Sequence, residues 1–299
     1  MRFVFWPGPN NSWGDTLRLA THAEKSGWDG VYYADHFMPN AADTLGPTSE
    51  CWTTLAALAA LVPRIRLGAL VTGNTYRHPA VLAKMAANMD NISGGRCVLG
   101  LGAGWQENEH AAYGIPFYTL GGRMRRFEEA CQVITGLLKN EKTTFEGRYY
   151  QLTDAPLAPK PLQSPLPLLI GGGGEKQTMR IAATYATDWN VWGTPQLLKA
   201  KQVILDEHCR TLGRDPKEIQ RGANALLVLS DDVAVVERMR GSGRPVIAGS
   251  ATEVRAIIQE YIDAGVDEVV IPDFNLGTEA DKKMTVMDQF VDEVVSAFR

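Results

Sequence analysis

Short apolar runs alternate with longer amphipathic segments along the whole chain. Eight of the runs have the length of a β-strand, and a segment with the apolar spacing of a helix follows each one. We predict strands at Arg2–Trp6, Gly30–Ala34, Arg66–Val71, Arg96–Gly100, Pro167–Ile170, Asp188–Val191, Ala223–Leu229 and Glu268–Ile271. We predict helices at Thr16–Ser26, Cys51–Val62, Pro79–Asn91, Gly122–Leu138, Lys176–Ala186, Gln196–Leu212, Ala251–Ala264 and Met284–Phe298. This alternation is typical of parallel βα units, and eight of them predict a closed (β/α)₈ TIM barrel of the α/β class.

Three segments are too long for simple barrel loops, and we predict insertions at about 104–120, 142–167 and 231–245. The second is expected to hold a β-hairpin that turns at Glu146-Gly147, and the third to be irregular. No segment has the character of a linker, so residues 1–299 are expected to form one barrel domain. A doubly wound sheet is the alternative, but Pro7-Gly8-Pro9 stands where its phosphate-binding glycine motif would follow the first strand.

Composition narrows the functional classes. Apolar residues make up 45% and charged residues 21% of the 299 positions, which excludes disordered and collagen-like chains. The net charge of −4, without a long run of one sign, predicts no nucleic-acid partner. Apolar stretches end at about eight residues, where a membrane helix needs roughly 20. The four cysteines lack CxxC spacing, which predicts neither a metal site nor a disulfide framework. We therefore expect a cytoplasmic protein that acts on a small molecule.

Candidate catalytic and binding residues lie at the ends of the predicted strands, because TIM barrels build their active sites there. Asp35 and His36 follow the second strand, and a carboxylate beside an imidazole can perform acid–base chemistry. A purely structural Asp–His pair is the alternative. Trp6, Trp105 and Trp192 fall near strand ends, where they are either core residues or aromatic walls for a flat ligand.

Glycines follow two further strands. Gly100, Gly102 and Gly104 alternate after the fourth strand, where they would let a ligand approach the backbone closely. Gly171–Gly174 come after the fifth strand and lead into a helix, and free N–H groups at a helix start bind anions. This predicts a phosphate site, with a tight βα turn as the alternative.

Taken together, these motifs resemble the bacterial luciferase-like superfamily over nearly the whole chain. The resemblance also rests on Gly68–Thr72, Tyr76–Pro79 and Ser93–Arg96. Order and spacing are most similar to the branch that uses the 8-hydroxy-5-deazaflavin coenzyme F420, including its glucose-6-phosphate dehydrogenases. The resemblance implies an insertion-bearing (β/α)₈ barrel, F420 as cofactor with FMN as the alternative, and a homodimer.

The resemblance also implies roles for individual residues. Asp35 would contact the cofactor and orient His36, which would handle the substrate proton. Ala69-Leu70 matches the site of a non-proline cis peptide behind the deazaflavin ring. The matching cofactor contacts are Asp35, Ala69, Leu70, Thr72, Ala103, Gly104, Asn108, Gly172, Gly173, Gly174 and Glu175. The expected substrate pocket comprises Trp6, Trp105, Glu107, His110 and Trp192.

The chain departs from the sugar-phosphate dehydrogenases at one position. Those enzymes carry a catalytic glutamate directly after the glycine pair, where this chain has Trp105. We therefore expect hydride transfer between the deazaflavin C5 and an alcohol, imine or activated alkene rather than glucose 6-phosphate. The alternatives are an FMN-dependent monooxygenase with a partner reductase, and a non-catalytic flavin-binding protein.

Overall fold

A computed structural model describes the protein over all residues from Met1 to Arg299. The strands are β1 (Arg2–Trp6), β2 (Gly30–Tyr33), β3 (Arg66–Ala69), β4 (Thr72–Gly73), β5 (Cys97–Gly102), β6 (Lys142–Glu146), β7 (Gln151–Pro156), β8 (Leu168–Gly171), β9 (Asp188–Trp192), β10 (Gln220–Asn224), β11 (Leu226–Leu229), β12 (Val246–Gly249) and β13 (Glu268–Pro272). The helices are α1 (Trp13–Ser26), α2 (Cys51–Leu61), α3 (Pro79–Ser93), α4 (Glu107–Ala112), α5 (Leu120–Lys139), α6 (Thr178–Tyr185), α7 (Pro195–Thr211), α8 (Val233–Arg240), α9 (Ala251–Asp263) and α10 (Ala280–Glu293).

A closed ring of parallel strands forms the centre of the fold. The main sheet has the order β3-β2-β1-β13-β10-β9-β8-β5-β4, and a β3–β5 pairing closes it. The short strands β3 and β4 are two parts of one barrel strand, because both pair with β5. The predicted (β/α)₈ barrel is confirmed.

Two predicted strands are divided in the structure. Arg66–Val71 is interrupted after Ala69, where the chain bulges before β4. Ala223–Leu229 changes partners: β10 stays in the barrel, whereas β11 pairs with β12 in a separate two-stranded sheet. Apart from Asn224, both halves of this run are apolar and largely buried, so the hydrophobic pattern could not show where one sheet ends and the other begins.

The insertions contain regular structure. β6 and β7 form the expected antiparallel hairpin. Helix α4 lies in the first insertion, and α8 occupies much of the segment that we expected to be irregular. The side chain of Asp232 accepts hydrogen bonds from the N–H groups of Ala234 and Val235, which caps α8 at its start.

None of the helices is both long and apolar enough to span a lipid bilayer. All four cysteines are buried and free of disulfide bonds.

Ion pairs close the N-terminal end of the barrel. The guanidinium of Arg2 lies 2.9 Å from the carboxylate of Glu268, and that of Arg66 lies 3.4 Å from it. Asp188 lies 3.7 Å from Arg2 and 3.8 Å from Arg66, and the Tyr32 hydroxyl donates to Glu268. We call these five residues the basal charge cluster. Burial raises the pKa of Glu268 and that of Tyr32.

Glycines surround the bulge between β3 and β4. A Cβ on Gly100 would lie 1.8 Å from the carbonyl oxygen of Ala69, and one on Gly102 would lie 2.7 Å from a methyl group of Val71. A Cβ on Gly171 would lie 2.9 Å from the other Val71 methyl group. These glycines are therefore required by the packing of the strands against the bulge, as well as by any ligand beside it.

The substitution Gly102→Ala tests this packing. We expect it to lower the free energy of unfolding by about 1–3 kcal/mol, because the new methyl group must displace Val71. Urea denaturation measures the change. Gly14→Ala is the matched control, since a Cβ at that helical position meets nothing closer than 3.8 Å and favours the helix. An unchanged midpoint for Gly102→Ala would show that the bulge adapts freely.

Candidate active site

A cavity of about 580 Å³ opens at the C-terminal ends of the barrel strands, a size typical of small-molecule sites. Most of the barrel strands contribute to it, from Trp6 at the end of β1 to Asn224 at the end of β10. Its lining includes Asp35, His36, Leu70, Thr72, Ala103, Gly104, Trp105, Gly172 and Trp192 from the expected set.

His36 is the imidazole on the cavity wall, and Glu109 holds it in place. Nδ1 of His36 lies 2.9 Å from a carboxylate oxygen of Glu109. Because a carboxylate can only accept, Nδ1 carries the proton, and Nε2 is left without a protein partner. The ring of Trp105 meets the His36 ring edge to face, with 5.4 Å between their centroids. His36 can therefore accept a proton from a ligand at Nε2, or return one to it.

Glu109 is fully buried on α4 and accepts several hydrogen bonds. The N–H of Phe37 donates to it over 2.8 Å, and the hydroxyl of Tyr76 also donates to it. Burial opposes ionisation, but the hydrogen bonds from His36, Phe37 and Tyr76 outweigh it and lower the pKa of the Glu109 carboxyl. The result is an ionised carboxylate behind the imidazole.

The prediction that Asp35 orients His36 is wrong, because Asp35 is bound elsewhere. Its carboxylate forms a bidentate pair with Arg77 at 2.7 and 3.0 Å and accepts the N–H of Gly73 at 3.1 Å. Arg77 also reaches Glu50, whose carboxylate caps the start of α2. Burial raises the pKa of Asp35, and Arg77 and the Gly73 N–H act against this rise. Asp35 therefore belongs to an ion-pair cluster that joins β2, β4 and α2.

The glycine turn after β8 offers backbone donors. The N–H of Gly172 bonds to the carbonyl of Asn190, but those of Gly173 and Gly174 make no backbone hydrogen bond. Both precede α6, whose Thr178 lines the cavity. Free backbone N–H groups in such a turn suit an anion. Glu175 is exposed and pairs with Lys201 at 2.7 Å, so its carboxylate leaves the turn free.

Two residues expected in the substrate pocket lie outside the cavity. Glu107 is exposed on α4. His110 is buried, with Nε2 2.6 Å from the Thr75 hydroxyl and Nδ1 2.7 Å from the carbonyl of Gln106. Both predictions are wrong, because the buried side of α4 packs on the loop after β4 and not on the cavity.

The cis peptide bond lies one position later than expected, between Leu70 and Val71 instead of Ala69 and Leu70. The N–H of Leu70 still bonds to the carbonyl of Tyr33 over 2.8 Å, as in the strand ladder. The first residue released from that ladder is therefore Val71. The predicted cofactor contacts Ala69, Asn108, Gly173, Gly174 and Glu175 do not line the cavity itself, and their roles stay predictions.

Four further residues were missed by reasoning from the sequence. Glu109 and Arg77 form the contacts described above, while Asn190 and Asn224 line the cavity. The signal for the asparagines was available, because an amide inside an apolar strand at its C-terminal end is unusual in a core position. No such signal marked Glu109, because the direction of its side chain depends on where α4 begins.

Comparison with known proteins matches the luciferase-like monooxygenase family model to residues 2–268. An F420-dependent glucose-6-phosphate dehydrogenase of Kineococcus radiotolerans is 30% identical over 296 residues, covering 86% of each chain. Further dehydrogenases of the same description match over 48% to 53% of their own length.

Two other likenesses bear on the cofactor and the fold. An FMNH(2)-dependent dimethylsulfone monooxygenase of Pseudomonas putida is 28% identical over 72% of this chain and 58% of its own. A solved structure described as an F420-dependent secondary alcohol dehydrogenase with an F420-acetone adduct superposes with a TM-score of 0.85. It has 21% identity and covers 98% of both chains, and this likeness shows the fold.

Proposed function

The chain belongs to the luciferase-like monooxygenase family, and from this premise we propose that it is an F420-dependent oxidoreductase. It would transfer a hydride between the deazaflavin C5 and a small alcohol, imine or activated alkene. The observation that carries the proposal is His36, an imidazole fixed by a buried carboxylate with its free Nε2 on the cavity wall. The family resemblance inferred from the motifs is confirmed.

The residues around the cavity fit the cofactor. Leu70 and Val71 form an apolar wall, and the strands beside them are kept free of side chains by Gly102 and Gly171. The free N–H groups of Gly173 and Gly174, in the turn that borders the cavity at Gly172, would bind the anionic end. When bound, F420 supplies a two-electron hydride donor or acceptor at C5. The near full-length relative described as F420-dependent supports this choice over FMN.

His36 completes the reaction by moving one proton. When a hydride leaves the carbinol carbon of an alcohol, the hydroxyl proton passes to Nε2 of His36 and a carbonyl forms. In the reverse direction, Nε2–H returns the proton to the reduced product. Glu109 stabilises the imidazolium in either direction, because its carboxylate lies 2.9 Å from Nδ1.

An FMN-dependent monooxygenase is the second candidate, because the Pseudomonas putida relative has that description. A non-catalytic flavin-binding protein is the third. His36 and Glu109 argue for catalysis, since a protein that only binds a flavin needs no oriented imidazole.

Cofactor binding and turnover separate these candidates. We expect F420, followed by its fluorescence, to bind about tenfold or more tightly than FMN. Anaerobic reduction of cyclohexanone, cyclohex-2-enone or 1-pyrroline by reduced F420 then tests a carbonyl, an activated alkene and an imine. Oxygen-dependent turnover with reduced FMN and preferential FMN binding would establish the monooxygenase instead. Binding without reduction of any of the three compounds would favour the non-catalytic protein.

The substitution Glu109→Gln tests the support of His36. We expect kcat to fall by about 100-fold, the lower end of what general acid–base catalysis contributes, because the imidazolium loses its counter-charge. The Kd for F420 should stay unchanged, since Glu109 does not line the cavity. Glu107→Gln, on the same helix but exposed, is the control and should leave kcat unchanged. Equal kcat values for the two variants would remove Glu109 from the mechanism.

Three expectations from the sequence remain proposals: a small-molecule substrate, a homodimer and a cytoplasmic location. Sedimentation equilibrium distinguishes a homodimer from a monomer, and fractionation of the source cells tests the location.

A further inference from the structure

Three buried polar atoms at one side of the cavity have no hydrogen-bond partner. They are Nε1 of Trp6, Nδ2 of Asn190 and Oδ1 of Asn224. We propose that these atoms form a substrate subsite for an uncharged molecule that presents both a hydrogen-bond acceptor and a donor, as an amide or a hydroxyketone does. This inference rests on the proposed function and names the substrate class of the same cavity.

The burial of these residues makes the missing partners significant. The exposed fractions are 9% for Trp6, 2% for Asn190 and 4% for Asn224, and all three residues line the cavity. Buried polar groups in folded proteins nearly always have a partner, because an unpaired group loses its hydration without compensation. Two unpaired donors and one unpaired acceptor on residues that line one cavity therefore point to a ligand with complementary groups.

The subsite lies across the barrel from the apolar wall that fits the cofactor. That wall, Leu70-Val71, follows β3, while Asn224 ends β10. In the closed ring, β10 is equally far from β3 in both directions, through β2, β1 and β13 or through β5, β8 and β9. A substrate held by Asn224 would therefore face the Leu70-Val71 wall across the cavity.

Asn190 is held in position by its surroundings. Its carbonyl accepts the N–H of Gly172 over 2.9 Å, which fixes the backbone. Its amide covers Gly222 on the neighbouring strand, where a Cβ would lie 2.7 Å from Nδ2. The side chain is therefore pre-positioned, which reduces the entropy lost when a ligand binds.

The lining favours an uncharged substrate over an anionic one. The cavity wall contains no lysine or arginine, and its buried carboxylate, Asp35, is already paired with Arg77. The guanidinium of Arg244 packs 5.2 Å from the ring of Trp192 but does not line the cavity. The rings of Trp6 and Trp192, 5.9 Å apart, supply apolar surface instead. A phosphate or carboxylate would lose its hydration without gaining a lysine or arginine as partner.

Three ring compounds of similar size test the subsite. 2-Piperidone is neutral with a donor and an acceptor, cyclohexanone is neutral with an acceptor only, and cyclohexanecarboxylate is an anion. Ligand-observed NMR titration gives their affinities for the protein with and without F420. We expect 2-piperidone to bind about tenfold more tightly than cyclohexanecarboxylate, with cyclohexanone between them. Equal or tighter binding of the anion would overturn the proposal.

Substitutions test whether the two asparagines bind 2-piperidone. Asn190→Leu and Asn224→Leu should each weaken 2-piperidone binding by about tenfold and leave the Kd for F420 unchanged. Gly222→Ala should weaken it too, because the new methyl group displaces the Asn190 amide. Asn91→Leu is the control, since that amide bonds to Ala87 and Lys160 away from the cavity.

The outcomes separate the two levels of the proposal. Unchanged 2-piperidone affinity in the folded asparagine variants would overturn the subsite, whatever the cofactor. Failure of F420 to bind the unmodified protein, with probe selectivity intact, would overturn the proposed function and leave the subsite standing. If a leucine variant does not fold by circular dichroism, Asn190→Ser and Asn224→Ser provide the same comparison.

Discussion

Replacement of His36 by alanine is expected to lower kcat for reduction by F420 by about 100-fold to 10,000-fold. The variant retains the cavity walls but has no group at the position of Nε2 to give or take the proton. The Kd for F420 should change little, because the Leu70-Val71 wall and the glycine turn are untouched. Stopped-flow measurement of F420 absorbance under anaerobic conditions, with the most rapidly reduced test compound, gives both values.

The chain provides a close control for this variant. His22 lies 2.7 Å from Asp288, and its side chain is 25% exposed against 24% for His36, but it does not line the cavity. His22→Ala should therefore leave kcat unchanged. Added imidazole should restore part of the activity of His36→Ala by occupying the vacated space. If His36→Ala were as active as His22→Ala and imidazole had no effect on it, His36 would have no part in proton transfer.

Replacement of Arg77 by methionine is expected to reduce the free energy of unfolding by about 3–5 kcal/mol. Arg77 neutralises Asp35, which is 2% exposed, so the variant leaves a buried carboxylate without its cation. The cost should be larger at pH 8 than at pH 5. The pKa of Asp35 is already raised by burial, and loss of Arg77 raises it further. Lowering the pH therefore neutralises the unpaired group and relieves the cost.

Urea denaturation at the two pH values measures this effect. Arg180→Met is the matched control, because Arg180 also forms a bidentate pair, with Glu128 at 2.7 Å for both contacts. Its side chain is 41% exposed against 14% for Arg77, so its loss should cost no more than about 1 kcal/mol. Similar losses in both variants would mean that burial of the Asp35 pair contributes little.

The fold was predictable because the barrel repeats one simple pattern. Each βα unit has a short apolar run followed by a helical segment, and a glycine often ends the helix before the next strand. Eight such local patterns therefore predict one architecture. The strand predictions failed where a strand pairs with a segment that is distant in the sequence. Apart from Asn224, the run Ala223–Leu229 is apolar, yet its second half pairs with β12, a segment that comes some twenty residues later, directly after a predicted insertion.

The site was predictable at its strand ends and less so in the pairing of its charges. His36 and Asp35 lie on the cavity wall, because barrel geometry places residues at strand ends there. Adjacent residues on a strand end point in different directions, however, so Asp35 reaches Arg77 while His36 reaches Glu109. Neither partner could be assigned without the three-dimensional positions of the loop after β4 and of α4.

The basal charge cluster also affects where the residues of the proposed substrate subsite lie along the barrel axis. Alternate residues of a strand point to the same side, and on three strands this inward row begins in or beside the cluster and ends at the mouth of the cavity. The rows are Arg2, Val4 and Trp6 on β1; Asp188, Asn190 and Trp192 on β9; and Gln220, Gly222 and Asn224 on β10. From first to last residue each row spans about 13 Å. A slip of one residue would turn the whole row away from the interior. The ion pairs at this end of the barrel therefore favour the one strand register in which two tryptophans and two asparagines line the same cavity.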